Sequence, residues 1–328
     1  MREMVSSVRS AVGVDLGATN VRVAVGDERG NILLKLSESV EIREGAEGIS
    51  RLIIRMIHSV MKDSRCGDVK GLAIGSIGPL DLERGGIIKP ANLPFDYVPL
   101  TEPLRDAFNI PAHLLNDCTT GVIGERYFGA GKETSNLVYI TLSTGIGGGI
   151  YVDDHLLIGK DGNAHEIGHL TIDFEGRLRC GCGKRGHWEA YCSGKNLPNY
   201  VRMILGEVEV KEVEESLLMK RAGRDPKKIS ARKIYDSAKE GDLISLEIVR
   251  KVGRLNAIGF ANVVNAYDPS LITVGGTMTL RNTDLIMEPI KKHIDEYTIN
   301  RLPEITVTPL GEDAVLYGAI AMVHFQAY

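Results

Sequence analysis

Residues 11–25 read AVGVDLGATNVRVAV, and this stretch decides the fold. The apolar run at residues 11–16 predicts a short buried strand, with Asp15 near its end. Residues 21–25 alternate valine with arginine or alanine, which is the two-residue period of a second strand. Small residues at 17–20 lie between them. The stretch therefore predicts a strand, a tight turn and a strand that runs back.

A second stretch, residues 136–152, repeats this plan with the sequence NLVYITLSTGIGGGIYV. Strand-like runs flank a glycine turn at residues 143–148. In each half a further tight turn and a third strand follow, at residues 31–40 and 155–158. Two similar halves, each with a turn large enough for a phosphate, predict two domains with one cleft between them.

The rest of the chain shows mixed helix and strand periodicity. Helices are predicted at residues 49–60, 100–108, 121–128, 243–267 and 313–324. Strands are predicted at residues 69–77, 112–115, 271–274 and 305–309, with a loop between 79 and 100. The segment 160–195, rich in Gly, Cys and His, is predicted to be irregular, and the charged stretch 207–233 a solvated helical excursion.

The composition is that of an ordinary globular chain. Its 328 residues are 43% apolar and 25% charged, which suffices for two domains with their own cores and excludes disorder over the whole length. The net charge of −4 provides no bulk basic field for nucleic acid or an anionic membrane. No apolar run approaches the roughly 20 residues of a membrane helix. Five cysteines do not suggest a secreted disulfide framework, so we predict a cytoplasmic protein.

The two glycine turns are candidate phosphate sites. Each offers backbone N–H groups and hydroxyls in a tight turn, and Asp15 beside the first suits Mg²⁺, directly or through water. Taken alone, the first turn favours an ordinary hairpin over a phosphate site. The second lacks the Gly-Lys-Ser/Thr ending of a Walker A loop and precedes a strand, unlike a dinucleotide fingerprint. Two such turns facing one cleft are more specific than either alone.

A carboxylate and an amide follow the predicted strand at residues 112–115. Asn116 and Asp117 lie at its carboxyl end, where catalytic groups collect in α/β folds. A carboxylate there is able to take the proton of an attacking hydroxyl. An Asn-Asp turn without chemistry is the alternative.

Four side chains in the irregular segment suit a metal ion. They are two imidazoles and two thiolates, which fill the tetrahedral shell of Zn²⁺: His169, Cys180, Cys182 and His187. Clustered Cys and His in a cytosolic chain bind metal more often than they form disulfides. Two alternatives stay open. The cysteines are reduced and uncoordinated, or Cys192 replaces His187 as a ligand.

Taken together, these motifs resemble those of the ROK sugar kinases, within the actin/hexokinase-like ATPase superfamily. The resemblance runs from Val12 to the last helix. Its motifs are DLGATN (15–20), LND (115–117), STGIGGG (143–149), EIGH (166–169), CGCG (180–183) and Gly275-Gly276. One departure is His187, which stands where the family's knuckle has a third cysteine. Histidine is a competent zinc ligand, so we expect the site to survive.

The resemblance implies an α/β fold with two actin-like (ribonuclease H-like) domains that flank a central cleft. The smaller domain would comprise residues 1–117 and the C-terminal helix at about 313–328. The larger would comprise residues 118–312, with a zinc-knuckle insert at 165–193.

By the same resemblance, Asp117 is the catalytic base and Asn116 orients the sugar. Further sugar contacts are expected at Gly78, Asn92, Glu166, His169 and Glu189. His169 would serve both zinc and sugar, one through each ring nitrogen, because a bound metal fixes its orientation. The nucleotide would contact Asp15, Gly17, Ala18, Thr19, Asn20, Thr144, Gly145, Gly275 and Gly276.

The activity implied is transfer of the γ-phosphate of ATP to the 6-hydroxyl of a hexose, with Mg²⁺ as cofactor and Zn²⁺ as a structural ion. A glucokinase or broad hexokinase is expected first, and an N-acetylmannosamine or N-acetylglucosamine kinase next. A sugar-responsive regulator is less expected, because few residues precede Asp15. The expected partners are hexose and ATP, in a homodimer or homotetramer.

Overall fold

The structure, a computed structural model, describes residues 9–90, 93–206 and 210–328. Thirteen strands occur in this part of the chain: β1 Arg9–Leu16, β2 Asn20–Asp27, β3 Ile32–Ser39, β4 Asp68–Ser76, β5 Leu80–Asp81, β6 Gly86–Ile88, β7 Tyr97–Pro99, β8 Ala112–Asn116, β9 Leu137–Leu142, β10 Ile146–Val152, β11 His155–Leu156, β12 Leu271–Gly275 and β13 Glu304–Val307. The α-helices are α1 Ala46–Met61, α2 Thr101–Phe108, α3 Asp117–Tyr127, α4 Trp188–Cys192, α5 Leu197–Leu205, α6 Val210–Glu215, α7 Leu217–Arg221, α8 Ala231–Lys239, α9 Leu243–Tyr267, α10 Thr277–Arg281, α11 Thr283–His293 and α12 Ala314–Phe325.

Two five-stranded sheets share one pattern of strand order. The first is β3-β2-β1-β4-β8 and the second is β11-β10-β9-β12-β13. In the first, β1 to β3 form an antiparallel meander, whereas β4 and β8 add in parallel. In the second, β10 pairs with β11 in antiparallel orientation, and β12 pairs with β13 in parallel orientation. The α/β fold that the resemblance implies is confirmed, and each of these sheets mixes parallel and antiparallel strands.

Alternation along β1 explains how the first sheet is covered on both faces. Val12, Val14 and Leu16 are buried in the cluster that includes the apolar face of α1. Gly13 lies between Val12 and Val14, and Ala11 packs with α12. A Cβ at Gly13 would lie 2.9 Å from the Leu316 carbonyl oxygen, so glycine lets α12 approach the sheet. The sheet is therefore held between α1 and α12.

The predicted loop between residues 79 and 100 contains a small sheet. Strands β5, β6 and β7 pair antiparallel in it. Each has only two or three residues, too few for a two-residue period to be recognised. The prediction of a loop missed these three strands for this reason.

By its internal packing the chain divides into two compact units. Unit 1 holds the described residues up to Tyr139, Gly149–His165 and Thr308–Tyr328. Unit 2 holds Ile140–Gly148 and Glu166–Val307. These bounds differ from the predicted ones at residues 117 and 312.

The helix α3 belongs to unit 1, and not to the predicted larger domain, because it packs closely against α12. A Cβ at Gly318 would collide with the Thr120 carbonyl oxygen, so the two helix backbones touch. No helix in the described part of the chain is both long and apolar enough to cross a membrane.

Candidate functional site

The carboxyl ends of three neighbouring strands lie side by side in unit 1. Leu16 in β1 is in register with Ser76 in β4, and Ser76 with Asn116 in β8. Because these strands are parallel, the residues that follow them emerge at one edge of the sheet, where ligand sites of open α/β sheets form. We call this edge the strand edge; it comprises residues 15–20, 76–79 and 116–117.

The first glycine turn, residues 17–20, belongs to the strand edge. The Gly17 amide donates to the Asn20 carbonyl oxygen at 2.9 Å, and the Val40 amide donates to the Thr19 carbonyl oxygen at 2.8 Å. These bonds hold four of the predicted nucleotide-binding residues in one closed turn. Each of the four is partly or fully exposed: Gly17, Ala18, Thr19 and Asn20.

Asp15 is the first member of a chain of alternating charges. Arg22, its partner across the β1–β2 hairpin, donates from Nε to Asp15 Oδ2 at 2.8 Å and also from Nη2 to that oxygen. Arg22 Nη1 donates to Asp313 Oδ1 at 3.0 Å, and Lys35 donates to Asp313 Oδ2 at 2.7 Å. Burial raises the pKa of the Asp15 carboxyl group, and the Arg22 guanidinium opposes that rise. Sequence reasoning missed Arg22, although the predicted hairpin already pairs residues 15 and 22.

Asn116 and Asp117 begin α3 at the strand edge. Asn116 is the N-cap, and its Oδ1 accepts from the amides of Cys118 at 2.8 Å and Thr119 at 3.4 Å. Asp117 Oδ1 also accepts from the Cys118 amide at 2.8 Å. The positive end of the helix dipole favours the ionised carboxylate, which is the form a general base needs.

One further predicted sugar contact, Gly78, lies at the same edge. A Cβ at Gly78 would lie 3.8 Å from Asn116 Nδ2, so Gly78 lies beside the N-cap of α3. Asn92 lies outside the described residues.

In unit 2 the second glycine turn joins β9 to β10. It is shorter than predicted, because β10 begins at Ile146 and includes Gly147 and Gly148. The Ser143 amide donates to the Gly145 carbonyl oxygen at 3.0 Å, which closes the turn around Thr144. We therefore use the name second glycine turn for residues 143–146.

The predicted nucleotide residues Gly275 and Gly276 lie beside this turn. Gly276 has a φ of 88°, a left-handed conformation that favours glycine, and a Cβ there would collide with the Leu142 carbonyl oxygen. The next residue, Thr277, has its Oγ1 3.3 Å from Ser143 Oγ. Four predicted contacts of unit 2 thus come together: Thr144, Gly145, Gly275 and Gly276.

The four predicted metal ligands also come together. One ligand atom from each lies within 4.8 Å of all the others in His169, Cys180, Cys182 and His187, which we call the metal cluster. Cys180 Sγ is 3.7 Å from His169 Nδ1, and Cys182 Sγ is 3.3 Å from His187 Nδ1. Tetrahedral zinc bonds of about 2.1 Å to nitrogen and 2.3 Å to sulfur place such ligands about 3.6 Å apart, so the donor set and these two distances fit zinc.

Burial shifts the protonation of two members of the cluster. It raises the pKa of the Cys180 thiol to about 11, and together with nearby His169 it lowers the pKa of His187. Neutral imidazole is the form that binds a metal. Cys192 lies elsewhere, with its buried Sγ 3.8 Å from the Val252 carbonyl oxygen. The structure places His187, and not Cys192, in the cluster.

His169 has a different neighbour at each ring nitrogen. Its Nδ1 faces the metal cluster, whereas its Nε2 is 3.4 Å from Glu166 Oε2. Glu166, His169 and Glu189, the three predicted sugar contacts of unit 2, all belong to the segment 166–195, which we call the knuckle. Glu189 Oε2 also accepts from the Ile146 amide at 3.0 Å. Sequence reasoning missed that bond, because 43 positions separate the partners and no local pattern relates them.

Comparisons with known proteins agree along nearly the whole chain. The model of the ROK family matches residues 11–326. The glucokinase of Pyrobaculum calidifontis is 35% identical over 95% of this chain and 94% of its own length. The glucokinase of Thermotoga maritima is 32% identical over 95% and 96%. Among solved structures, a ROK family glucokinase of Streptomyces griseus in complex with glucose and AMPPNP has a TM-score of 0.77 at 29% identity and covers 95% of this chain and 98% of that one.

Proposed function

The chain belongs to the ROK family, and from this premise we propose that it is an ATP-dependent hexokinase that transfers the γ-phosphate of ATP to the 6-hydroxyl of glucose. Similarity to glucokinases over nearly the full length of both chains supports the proposal. The structural observation that carries it is the carboxylate of Asp117 in the first turn of α3, at the end of a parallel strand.

In the proposed reaction the sugar 6-hydroxyl oxygen bonds to the γ-phosphorus. The bond from that phosphorus to its bridging oxygen breaks, and ADP leaves with the bonding electrons. Asp117 accepts the hydroxyl proton. Because the transition state is loose, the chain mainly positions groups and neutralises charge. Asn116, which caps α3 and lies beside Gly78, would hold the sugar near Asp117.

The nucleotide would be held by backbone amides and hydroxyls of the two glycine turns. Both turns are closed by internal hydrogen bonds, so the backbone of each turn is held in a fixed shape before phosphate binds. Gly275 and Gly276, beside the second turn, would let the nucleotide approach the backbone.

The sugar would be held in unit 2 by Glu166, His169 and Glu189. Carboxylates accept strongly from hydroxyl donors. The position of His169, with Nδ1 toward the metal cluster and Nε2 toward Glu166, suits the double role proposed for it.

Two metal ions complete the proposal. Mg²⁺ would be held by Asp15, which fits because both Arg22 contacts go to Oδ2 and Oδ1 is a carboxylate oxygen of the kind Mg²⁺ prefers. Mg²⁺ would neutralise phosphate charge. Zn²⁺ would be held by the metal cluster, where four protein ligands leave no open position, so its role would be structural.

Further parts of the proposal concern architecture. The shared strand order of the two sheets supports two actin-like (ribonuclease H-like) domains, and the metal cluster supports the zinc-knuckle insert at residues 165–193. A homodimer or homotetramer and a cytoplasmic location stay predictions.

A substrate panel tests the proposed function. Purified protein with ATP and Mg²⁺ should phosphorylate glucose, and kcat/KM should be compared for mannose, fructose, N-acetylglucosamine and N-acetylmannosamine. A higher kcat/KM for an N-acetylhexosamine would transfer the proposal to that kinase. No phosphorylated product with any sugar would refute the kinase and favour a sugar-responsive regulator.

A further inference from the structure

The second glycine turn is held largely by the C-terminal end of the knuckle. The Ile146 amide donates to Glu189 Oε2 at 3.0 Å. The Ser143 carbonyl oxygen accepts from the Gly194 amide at 2.7 Å, and the Thr144 carbonyl oxygen accepts from the Lys195 amide at 3.1 Å. Three of the four residues of the turn are thus bonded to a segment about 50 positions away.

Among these contacts, only the one from Glu189 uses a side chain. Its carboxylate also lies close under the turn, since a Cβ at Gly145 would be 2.7 Å from Oε2. The other carboxylate oxygen, Oε1, is 3.9 Å from Cys180 Sγ in the metal cluster. One carboxylate therefore lies between a metal ligand and the turn.

The helix that carries Glu189 is short, and its two neighbours in sequence anchor it. His187, a member of the metal cluster, immediately precedes α4. Trp188 is fully buried, donates from Nε1 to Asn256 Oδ1 at 2.8 Å and packs edge-on against Phe260. Five residues form barely more than one turn, which is not a stable helix alone. The position of Glu189 thus depends on Trp188 in the core and on His187 in the cluster.

We propose that Glu189 is a positioning residue for the second glycine turn, and that through it the metal cluster sets the affinity of the chain for nucleotide. This inference rests on the proposed function in assigning the turn to nucleotide binding. It goes beyond the sugar contact assigned to Glu189, because one oxygen of the carboxylate is committed to the backbone of the turn. Occupancy of the metal cluster and nucleotide binding would accordingly be linked.

A pair of variants separates the two roles of Glu189. Glu189→Ala removes the acceptor and leaves the Ile146 amide without its partner. Glu189→Gln removes the charge but keeps an amide oxygen able to accept from Ile146. Loss of such a bond should raise the Kd for AMPPNP about tenfold in Glu189→Ala, and the Kd of Glu189→Gln should stay near wild type. Isothermal titration of the full chain without sugar measures both. Glu175→Ala, at an exposed glutamate of the knuckle, is the matched control.

Hydrogen exchange at Ile146 provides a readout that does not depend on nucleotide. Exchange of this amide, resolved to the single residue, should accelerate in Glu189→Ala and keep its protection in Glu189→Gln. Thermal unfolding of both variants checks that unit 2 has folded.

Metal removal tests the second half of the proposal. Trp188 is the only tryptophan of the chain and lies between His187 and Glu189, so its fluorescence reports on α4 alone. Chelation of the metal should shift Trp188 emission, accelerate exchange at Ile146 and weaken AMPPNP binding, and added Zn²⁺ should reverse all three. Peptides of the strand edge should keep their exchange rates.

The outcomes are distinct. Unchanged Ile146 exchange and unchanged AMPPNP binding in Glu189→Ala would overturn the positioning role, as would equal weakening in Glu189→Ala and Glu189→Gln. Unaltered nucleotide affinity after chelation would overturn the link to the metal. Failure of wild-type protein to bind AMPPNP would refute the proposed function, and the exchange data would still decide whether Glu189 positions the turn.

Discussion

The strand edge and the knuckle hold their functional side chains by different means. At the strand edge, Leu16, Ser76 and Asn116 are placed by the backbone ladders of three parallel strands. In the knuckle, backbone bonds are scattered rather than arranged between long strands, and side-chain contacts such as those of Glu189 and Trp188 supplement them. Backbone hydrogen bonds between strands persist through most side-chain substitutions, whereas a side-chain contact is lost when that side chain is replaced. The strand edge should therefore lose chemistry without losing structure, and the knuckle should lose both together.

The largest expected effect is at the strand edge. Asp117→Asn should lower kcat by about 10²–10⁴-fold, the usual range for loss of a general base. Asparagine still accepts from the Cys118 amide, and the cap by Asn116 is unchanged, so the fold should persist. Steady-state kinetics with glucose measure kcat, and thermal unfolding and zinc content serve as controls. Near-normal turnover in this variant would remove Asp117 from the role of base.

A smaller effect is expected in the knuckle, where the ligand itself supports the structure. His187→Ala should weaken zinc binding about 10–100-fold, and His187→Cys should retain the ion, because a thiolate is also a zinc ligand. Elemental analysis after dialysis against a chelator measures occupancy. Cys192→Ala is the control, since its thiol faces Val252. Full occupancy in His187→Ala with loss in Cys192→Ala would move the fourth ligand to Cys192.

The smallest effect is a change in how stability depends on pH. Glu125 in α3 is fully buried, and its carboxyl group accepts from the Ala130 amide at 3.1 Å and from the Thr308 hydroxyl. Burial raises its pKa above 4.5. The folded chain then keeps a proton that the unfolded chain has lost, so stability falls as the pH rises from 4.5 toward the raised pKa.

The variant Glu125→Gln has no ionisable group at this position, so its comparison with wild type isolates the contribution of Glu125 to the pH dependence of stability. The difference in free energy of unfolding, Glu125→Gln minus wild type, should increase with pH across that window. Urea unfolding of both proteins at a series of pH values measures it. Acid also protonates the metal ligands and so releases the metal. Both proteins lose the same stability in this way, and that loss cancels in the difference between them. A difference independent of pH would show that Glu125 does not titrate in this range.

Local patterns were sufficient for the elements that build the sheets. The strands at residues 11–25 and the helix at 49–60 were predicted because their apolar patterns extend over several residues. The resemblance to the ROK family is confirmed by the family model. The small sheet β5-β6-β7 was missed because its strands are too short to show a period.

For the candidate site, motifs proposed residues whose roles stay predictions, and they did not indicate all the contacts of those residues. Spacing indicated a set of two histidines and two cysteines and left His187 and Cys192 as alternatives. The choice appears only in three dimensions, because α4 turns Cys192 toward Val252 while His187, just before the helix, faces Cys182. Arg22 was readable in principle from the hairpin register, whereas the bond from Ile146 to Glu189 was not.

By itself, the sequence determined the two strand-turn-strand stretches, the α/β class, the family and the kinds of side chain available for chemistry. These follow from interactions between residues close in sequence, or from motifs with fixed spacing. Only the tertiary structure decided which distant residues support one another: Arg22 with Asp313, and Glu189 with the second glycine turn. The physical reason is that hydrogen bonds and ion pairs act over a few ångströms. Which distant residues come within that range is decided by packing and not by spacing along the chain.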